Sequence, residues 1–427
     1  MPVGSRFRSA RRFCAPRQPL SRELPLQLTP GAPDDCHYNG NSDRKLTRAT
    51  LVVTAILLLA QCFIAALLLR LFQQRLSGRR RIAAWGGLAA FEVLVVVGYV
   101  AFEPMRLPGL FTTVVGAGAL VYLVTSTAVL VLYFIFRPIR RRLHAETDPG
   151  RRRLLNWAGN LIVASPVAAV SYGIFVQRTD FTVRELDVPI PGLPPSLENL
   201  RLLHVSDIHL SPFLSEPELA RMIDATIDLK PHIAFVTGDL ITAPGDPLEA
   251  CIRQLARIKA DAGVFGCMGN HEKYARSEEA TSRLASRVGI QFLRQQAAPL
   301  RFGDSVLNVV GVDYQPVHYR GRFLQGAEHL TEPSALNLLL SHNPQVFPYA
   351  AQQGYDLVLA GHTHGGQVNV EILGESLNPA QFFTRYVYGL YHVGRSAAYV
   401  SRGVGTIGMP VRLGAPPEVS LLRLKKA

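Results

Sequence analysis

Five clusters of Asp, Asn and His punctuate the C-terminal half of the chain. They read Asp207-Ile-His209, Gly238-Asp239, Gly269-Asn270-His271-Glu272, Ser341-His342-Asn343 and Gly361-His362-Thr-His364. Imidazole suits zinc, iron or nickel, and carboxylate suits manganese or magnesium. So many donors, with a carboxylate able to bridge, exceed what one ion takes; they fit two divalent cations about 3.5–4 Å apart. Taken singly, any of these histidines reads as an ordinary core or surface residue, and His204, inside an apolar run, is assigned no role. The complete ordered set is what points to metal chemistry.

Each cluster closes a short apolar run, at 201–206, 233–236, 264–268, 336–340 and 357–360, and a further run lies at 306–312. Between the runs lie helix signals. Ser215 and Glu218 form a capping box opening a helix that reaches to about residue 229. Asp246-Pro247 opens another, with proline in its first turn. Asn343-Pro344 opens a third, closed by Gly354. The tail from 397 to 424 alternates like strands. Strands alternating with helices predict an α/β core, and ligands in such folds bind where strands end. The elements therefore gather the five clusters on one rim.

The blocks Asp207-x-His209, Gly238-Asp239, Gly269-Asn270-His271-Glu272, His342 and Gly361-His362-x-His364, in this order, resemble the calcineurin-like metallophosphoesterases. The ending Ser401-Arg402-Gly-Val-Gly-Thr-Ile-Gly-Met-Pro-Val-Arg412 resembles the membrane-associated subgroup of YkuE and YaeI type. The resemblance implies a two-sheet β-sandwich flanked by helices. It implies that Asp207, His209, Asp239 and His364 hold one ion, with Asp239 bridging to a second completed by Asn270, His342 and His362. The ions would be manganese, iron or zinc. His271 would be the catalytic acid rather than a ligand, and a two-metal-activated hydroxide would attack phosphorus. Arg402 is a candidate phosphate clamp on residue type alone, because a guanidinium suits bidentate phosphate recognition; a packing salt bridge explains it equally well.

The N-terminal half has a different character. Of the chain's charged residues, 23 Lys and Arg against 9 Asp and Glu fall in residues 1–180, and 22 against 23 follow. The basic residues cluster between apolar segments, which membrane topology explains; the near-neutral polar half argues against nucleic-acid binding. Segments 51–69, 82–101, 110–136 and 154–176 are each long enough to span a bilayer, which takes about 20 apolar residues. Arginines crowd the first and third loops (Arg79, Arg80, Arg141, Arg151 among them), which places those loops in the cytoplasm and both termini outside; the basic N-terminal tail pulls the other way. Glu92, inside the second segment, is a functional candidate because membrane carboxylates are costly. The bland alternative is a helix-paired or protonated side chain. Among the five cysteines, Cys251 and Cys267 could pair only if the fold brings them together.

The expected organisation is a basic, disordered tail (1–47), four transmembrane helices (48–178), a Pro-rich linker (179–199) and a metallophosphoesterase domain (200–427). The expected protein is multi-pass in the cell (inner) membrane, with its catalytic domain extracytoplasmic. It would hydrolyse a phosphodiester, phosphomonoester or pyrophosphate bond in a small-molecule or lipid-linked substrate. Two alternatives stand beside it: a UDP-2,3-diacylglucosamine-type pyrophosphate hydrolase and a non-catalytic metal-dependent sensor.

Overall fold

The computed structural model describes residues 78–102, 110–144 and 148–427 except 373–374, with a few positions between 59 and 67. The soluble half is built on two six-stranded sheets. Strands are numbered in chain order. The first sheet runs β1 (Thr182–Ile190), β14 (Glu418–Lys426), β2 (Arg201–Val205), β3 (Ile233–Thr237), β4 (Val264–Cys267), β5 (Ile290–Phe292). The second runs β12 (Gly389–Val393), β13 (Ser396–Val400), β9 (Leu357–Ala360), β8 (Leu336–Leu340), β7 (Ser305–Gly311), β6 (Gln296–Phe302). A short hairpin, β10 (Val370–Ile372) with β11 (Glu375–Leu377), stands apart.

Strands β2 to β5 pair in parallel, as do β7, β8, β9 and β13. Parallel strands covered on both faces read as continuous apolar runs, and every residue of β3, β8 and β13 is buried. Leu202 and Phe235 of one sheet meet Leu307, Leu338, Leu357 and Tyr399 of the other in a shared core. Helices cover the outer face of the first sheet through Leu219, Ile223, Cys251 and Leu255. The result is a mixed α/β architecture.

Three local expectations change. The proline-rich stretch read as a linker carries β1, which pairs in parallel with β14 along all nine residues. Its alternation sends Val188 and Ile190 into the core, and Pro189 is tolerated because β1 is an edge strand. The Ser215–Glu218 capping box is present, but the helix ends at Asp224 and a 3-10 turn, Ile227–Leu229, finishes the segment. Asp246 does not cap the helix Leu248–Leu255; its carboxylate turns back to accept the N–H groups of Thr242 and Ala243.

Three helices of the N-terminal half are described: α1 (Gly78–Phe102), α2 (Leu110–His144) and α3 (Pro149–Phe175). Asp148 caps α3 by accepting from Gly150 and Arg151. Among the described residues two helical stretches are long and apolar enough to cross a membrane, Thr113–Ile139 and Pro149–Thr179. The predicted segment 82–101 is helical but is not one of these two, and the segment 51–69 lies largely outside the described residues, as does the tail 1–47. The end of α3 docks on the soluble half. The N–H of Arg412 donates to the Gly173 carbonyl (3.3 Å) and that of Gly414 to Gln177 Oε1 (2.7 Å). A Cβ at position 173 would stand 2.8 Å from the Arg412 carbonyl, so this contact needs glycine.

Candidate metal centre

The loops that leave β2, β3, β8 and β9 bring six of the seven predicted donors together, and Asn270, after β4, lies between Gly269 and His271, which both approach Asp239. Asp207, His209 and His364 form one group whose ligand atoms lie within 4.8 Å of one another, and Asp239, His342 and His362 form a second. Asp239 joins the groups: its Oδ2 is 3.0 Å from His342 Nε2 and 3.4 Å from His209 Nε2. His342 Nε2 also lies 3.8 Å from Asp207 Oδ1, and His364 Nε2 lies 3.4 Å from the same oxygen.

The backbone is bent hard to achieve this. Asp207, His209, Asp239, His362 and His364 all have positive φ, between 49° and 74°. Such conformations are costly for residues with a Cβ and concentrate at functional sites. Gly361 permits the closest approach, since a Cβ there would overlap Ser206 and the Asp207 carboxylate.

Second contacts fix the rings. His342 Nδ1 donates to the Thr237 carbonyl (2.6 Å), which leaves Nε2 as its lone-pair nitrogen. His209 Nδ1 lies 3.1 Å from Thr242 Oγ1. Both Nε2 atoms, and Asn270 Oδ1, are buried with no hydrogen-bond partner. Buried polar atoms are ordinarily satisfied, so these orphans, aimed among carboxylates, fit divalent cations. Electrostatics agree. Burial opposes ionisation of Asp239, yet His342, His271 and His209 outweigh it and hold its carboxyl well below the usual range. Burial alone would lower His342, but Asp239 and Asp207 push it up to about 10. The donor set thus attracts positive charge strongly enough to retain a proton in place of a metal.

His271 sits in the same cluster, grouped with His209 and Asp239. Its Nδ1 donates to the Thr242 carbonyl (2.6 Å) and its N–H donates to Asp239 Oδ1 (2.9 Å). Arg402 stands at the rim: its guanidinium covers the Tyr388 ring at 4.4 Å and Nε is 3.7 Å from Glu418 Oε2. Those contacts match the packing alternative, and its stem lies against Gly365, next to His364, within the candidate site. His204 is a core residue, hydrogen-bonded to Thr237 Oγ1. Cys251 and Cys267 are both free and buried. Glu92 has a partner on α2, the Tyr122 hydroxyl at 3.1 Å.

Several contributors escaped the sequence reading. Glu272 is fully buried and accepts the N–H groups of Asp239, Leu240 and Gly269, locking two ligand loops together. Its place in the Gly-Asn-His-Glu block was the available signal. Tyr314 packs against His362 and His342 with centroids 5.5 and 6.0 Å away, and Tyr274 against His271 at 5.5 Å. Arg412 is a buried cation whose guanidinium donates to the carbonyls of Gly403, Gly405, His364 and Ala415. It closes the ending that resembles the membrane-associated subgroup, but no local pattern displays this role.

A family model described as calcineurin-like phosphoesterase matches residues 200–366. A Danio rerio transmembrane protein with metallophosphoesterase domain is 32% identical over 283 residues, which cover 62% of this chain and 62% of the relative. The Bos taurus protein of the same description is 27% identical over 363 residues, covering 81% and 80%; that alignment is too long for the soluble half alone. The Escherichia coli phosphodiesterase YaeI is 29% identical over 230 residues, covering 52% and 82%.

Proposed function

We infer, from a chain whose residues 200–366 form a calcineurin-like phosphoesterase domain, that this protein is a metal-dependent phosphoric ester hydrolase acting at a membrane. The observation that carries the reading is Asp239, whose carboxylate lies between His209 of one ligand group and His342 of the other. Asp207, His209, Asp239 and His364 would hold one ion, and Asp239, Asn270, His342 and His362 the second. A divalent pair so held supplies Lewis acidity toward phosphate oxygens and makes water nucleophilic near neutral pH.

The chain's own groups do the rest. His271 has Nδ1 committed to the Thr242 carbonyl, so Nε2 is the nitrogen that delivers a proton to a departing alkoxide, an effect of roughly 10²–10⁴-fold. Glu272 keeps the loops of Asp239 and Asn270 in register. Tyr314 and Tyr274 pack their rings against His362 and His271 on one side of the cluster. Helices α1 to α3, with the apolar segment before them, anchor the domain as a multi-pass protein. The arginine-rich loops support an extracytoplasmic site, and that siting favours a phospholipid or another exported phosphoester as substrate.

The test is hydrolysis of bis-p-nitrophenyl phosphate by the purified full chain with Mn²⁺, Zn²⁺ or Mg²⁺, wild type beside Asp239→Ala. Turnover that the substitution abolishes supports the reading. Tight metal binding without turnover supports a sensor instead, and a cytoplasmic C-terminus by reporter fusion returns the UDP-2,3-diacylglucosamine-type substrate to consideration.

A further inference from the structure

Large apolar side chains stay exposed on a soluble surface only rarely in groups, and a group marks a binding face. Among the described residues beyond α3, the three most exposed are neighbours: Leu377 at 60%, Phe382 at 89% and Phe383 at 76%. They occupy the end of β11 and the 3-10 turn Pro379–Phe382 that follows.

This turn is held rigidly. Asn378 accepts the Ala380 N–H with Oδ1 and donates through Nδ2 to the Gly365 carbonyl (2.8 Å), inside the loop that carries His364. Gln345 Nε2 donates to the Phe383 carbonyl (3.0 Å). The two phenyl rings are therefore presented outward by a fixed backbone beside the metal centre.

The base of the same hairpin lies at the end of α3. The Asn369 N–H donates to the Leu413 carbonyl, and the flanking residues Arg412 and Gly414 bond to Gly173 and Gln177. Leu377 pairs with Val370, one residue beyond Asn369. Counting along α3 from Arg153, the last of its arginines, about 20 residues or about 30 Å of helix reach Gly173. That length matches the hydrocarbon core, so with α3 as a span Gly173 would stand near its far boundary.

We propose that the turn bearing Leu377, Phe382 and Phe383 is a lipid-inserting element that seats the His364 loop on the bilayer spanned by α3. Phe and Leu side chains bury into the headgroup–acyl boundary, and the exposed Arg385 two residues on suits anionic headgroups. The proposal rests on α3 as a membrane span and goes beyond the hydrolase reading, because insertion requires no turnover.

Trp85 and Trp157 are the two tryptophans of the chain, so a Trp85→Phe, Trp157→Phe background allows a single reporter. Phe383→Trp is introduced into the full-length protein, which is reconstituted in phosphatidylcholine–phosphatidylglycerol vesicles with or without dibrominated phosphatidylcholine. The expected result is blue-shifted emission that loses most of its intensity in brominated vesicles. Solvent-like emission indifferent to bromination overturns the proposal, whether or not the protein hydrolyses phosphoesters. As a second arm, Phe382→Asp with Phe383→Asp should leave turnover of bis-p-nitrophenyl phosphate unchanged and abolish the insertion signal at a tryptophan placed at Leu377; a signal that survives both aspartates overturns it too.

Discussion

The backbone N–H of Arg412 donates to the carbonyl of Gly173, so the last turn of α3 is bonded to the residue whose guanidinium supports His364. Arg412 Nη2 lies 3.4 Å from His364 Nδ1, and its other donors go to main-chain carbonyls. Burial lowers its pKa to about 10, which leaves it a cation at neutral pH. One residue thus ties the anchor to the metal centre.

Arg412→Met should therefore harm both stability and metal binding. It strands carbonyls that accept from a charged donor, and each such bond is worth about 1.5–3 kcal/mol. The expected outcome is an apparent Tm lowered by several degrees and weaker Mn²⁺ binding. Arg412→Lys should recover only part of either, because one ammonium cannot reach carbonyls spread around a planar fork. Thermal melts and metal titration of the detergent-solubilised protein check this.

Glu272→Gln should act on the centre without replacing a ligand side chain. The carboxylate accepts three backbone N–H groups, and an amide offers one acceptor atom and turns its NH₂ toward a remaining donor. A cost of about 2 kcal/mol or more is expected, with kcat reduced more than KM because Asp239 and Asn270 shift relative to each other. Steady-state kinetics with saturating Mn²⁺ measures the split.

These residues show what a sequence displays and what it hides. Asp207, His209, Asp239 and the histidines of 361–364 were legible because each ligand sits directly behind an apolar run, a local pattern. The capping box at Ser215 was legible for the same reason. β1 was not: its prolines read as a spacer, and its partner β14 lies more than 200 residues along the chain, as the Arg423–Asp187 contact between them shows. Arg412 and Asn378 were hidden because their roles consist of bonds to distant main-chain atoms. The exposure of Phe382 and Phe383 is set by the backbone of their turn, which no local pattern displays.

Removing metal should destabilise the wild type selectively. The unpartnered Asn270 Oδ1 and His209 Nε2 make the metal-free cluster costly. A ligand bound only by the folded state adds about 2.7 kcal/mol at a hundredfold excess over Kd. Chelation should lower the apparent Tm, and Mn²⁺ should restore it. Asp239→Asn, lacking the bridging charge, should show little of this response, which thermal melts at several Mn²⁺ concentrations resolve.

Acid sensitivity should trace in part to His204. The ring is fully buried between the sheets, with Nδ1 unpartnered, and burial pushes its pKa down to about 3. In the unfolded chain it titrates near 6.5. Between those values the unfolded state holds the extra proton, so stability is fully present above pH 6.5 and falls as the pH drops toward 3. The slope from this one group approaches about 1.4 kcal/mol per pH unit. His204→Gln keeps a polar contact for Thr237 and cannot titrate. Its apparent Tm, compared with wild type from pH 7.5 to 4.5, should fall less steeply; parallel curves would remove His204 from the account.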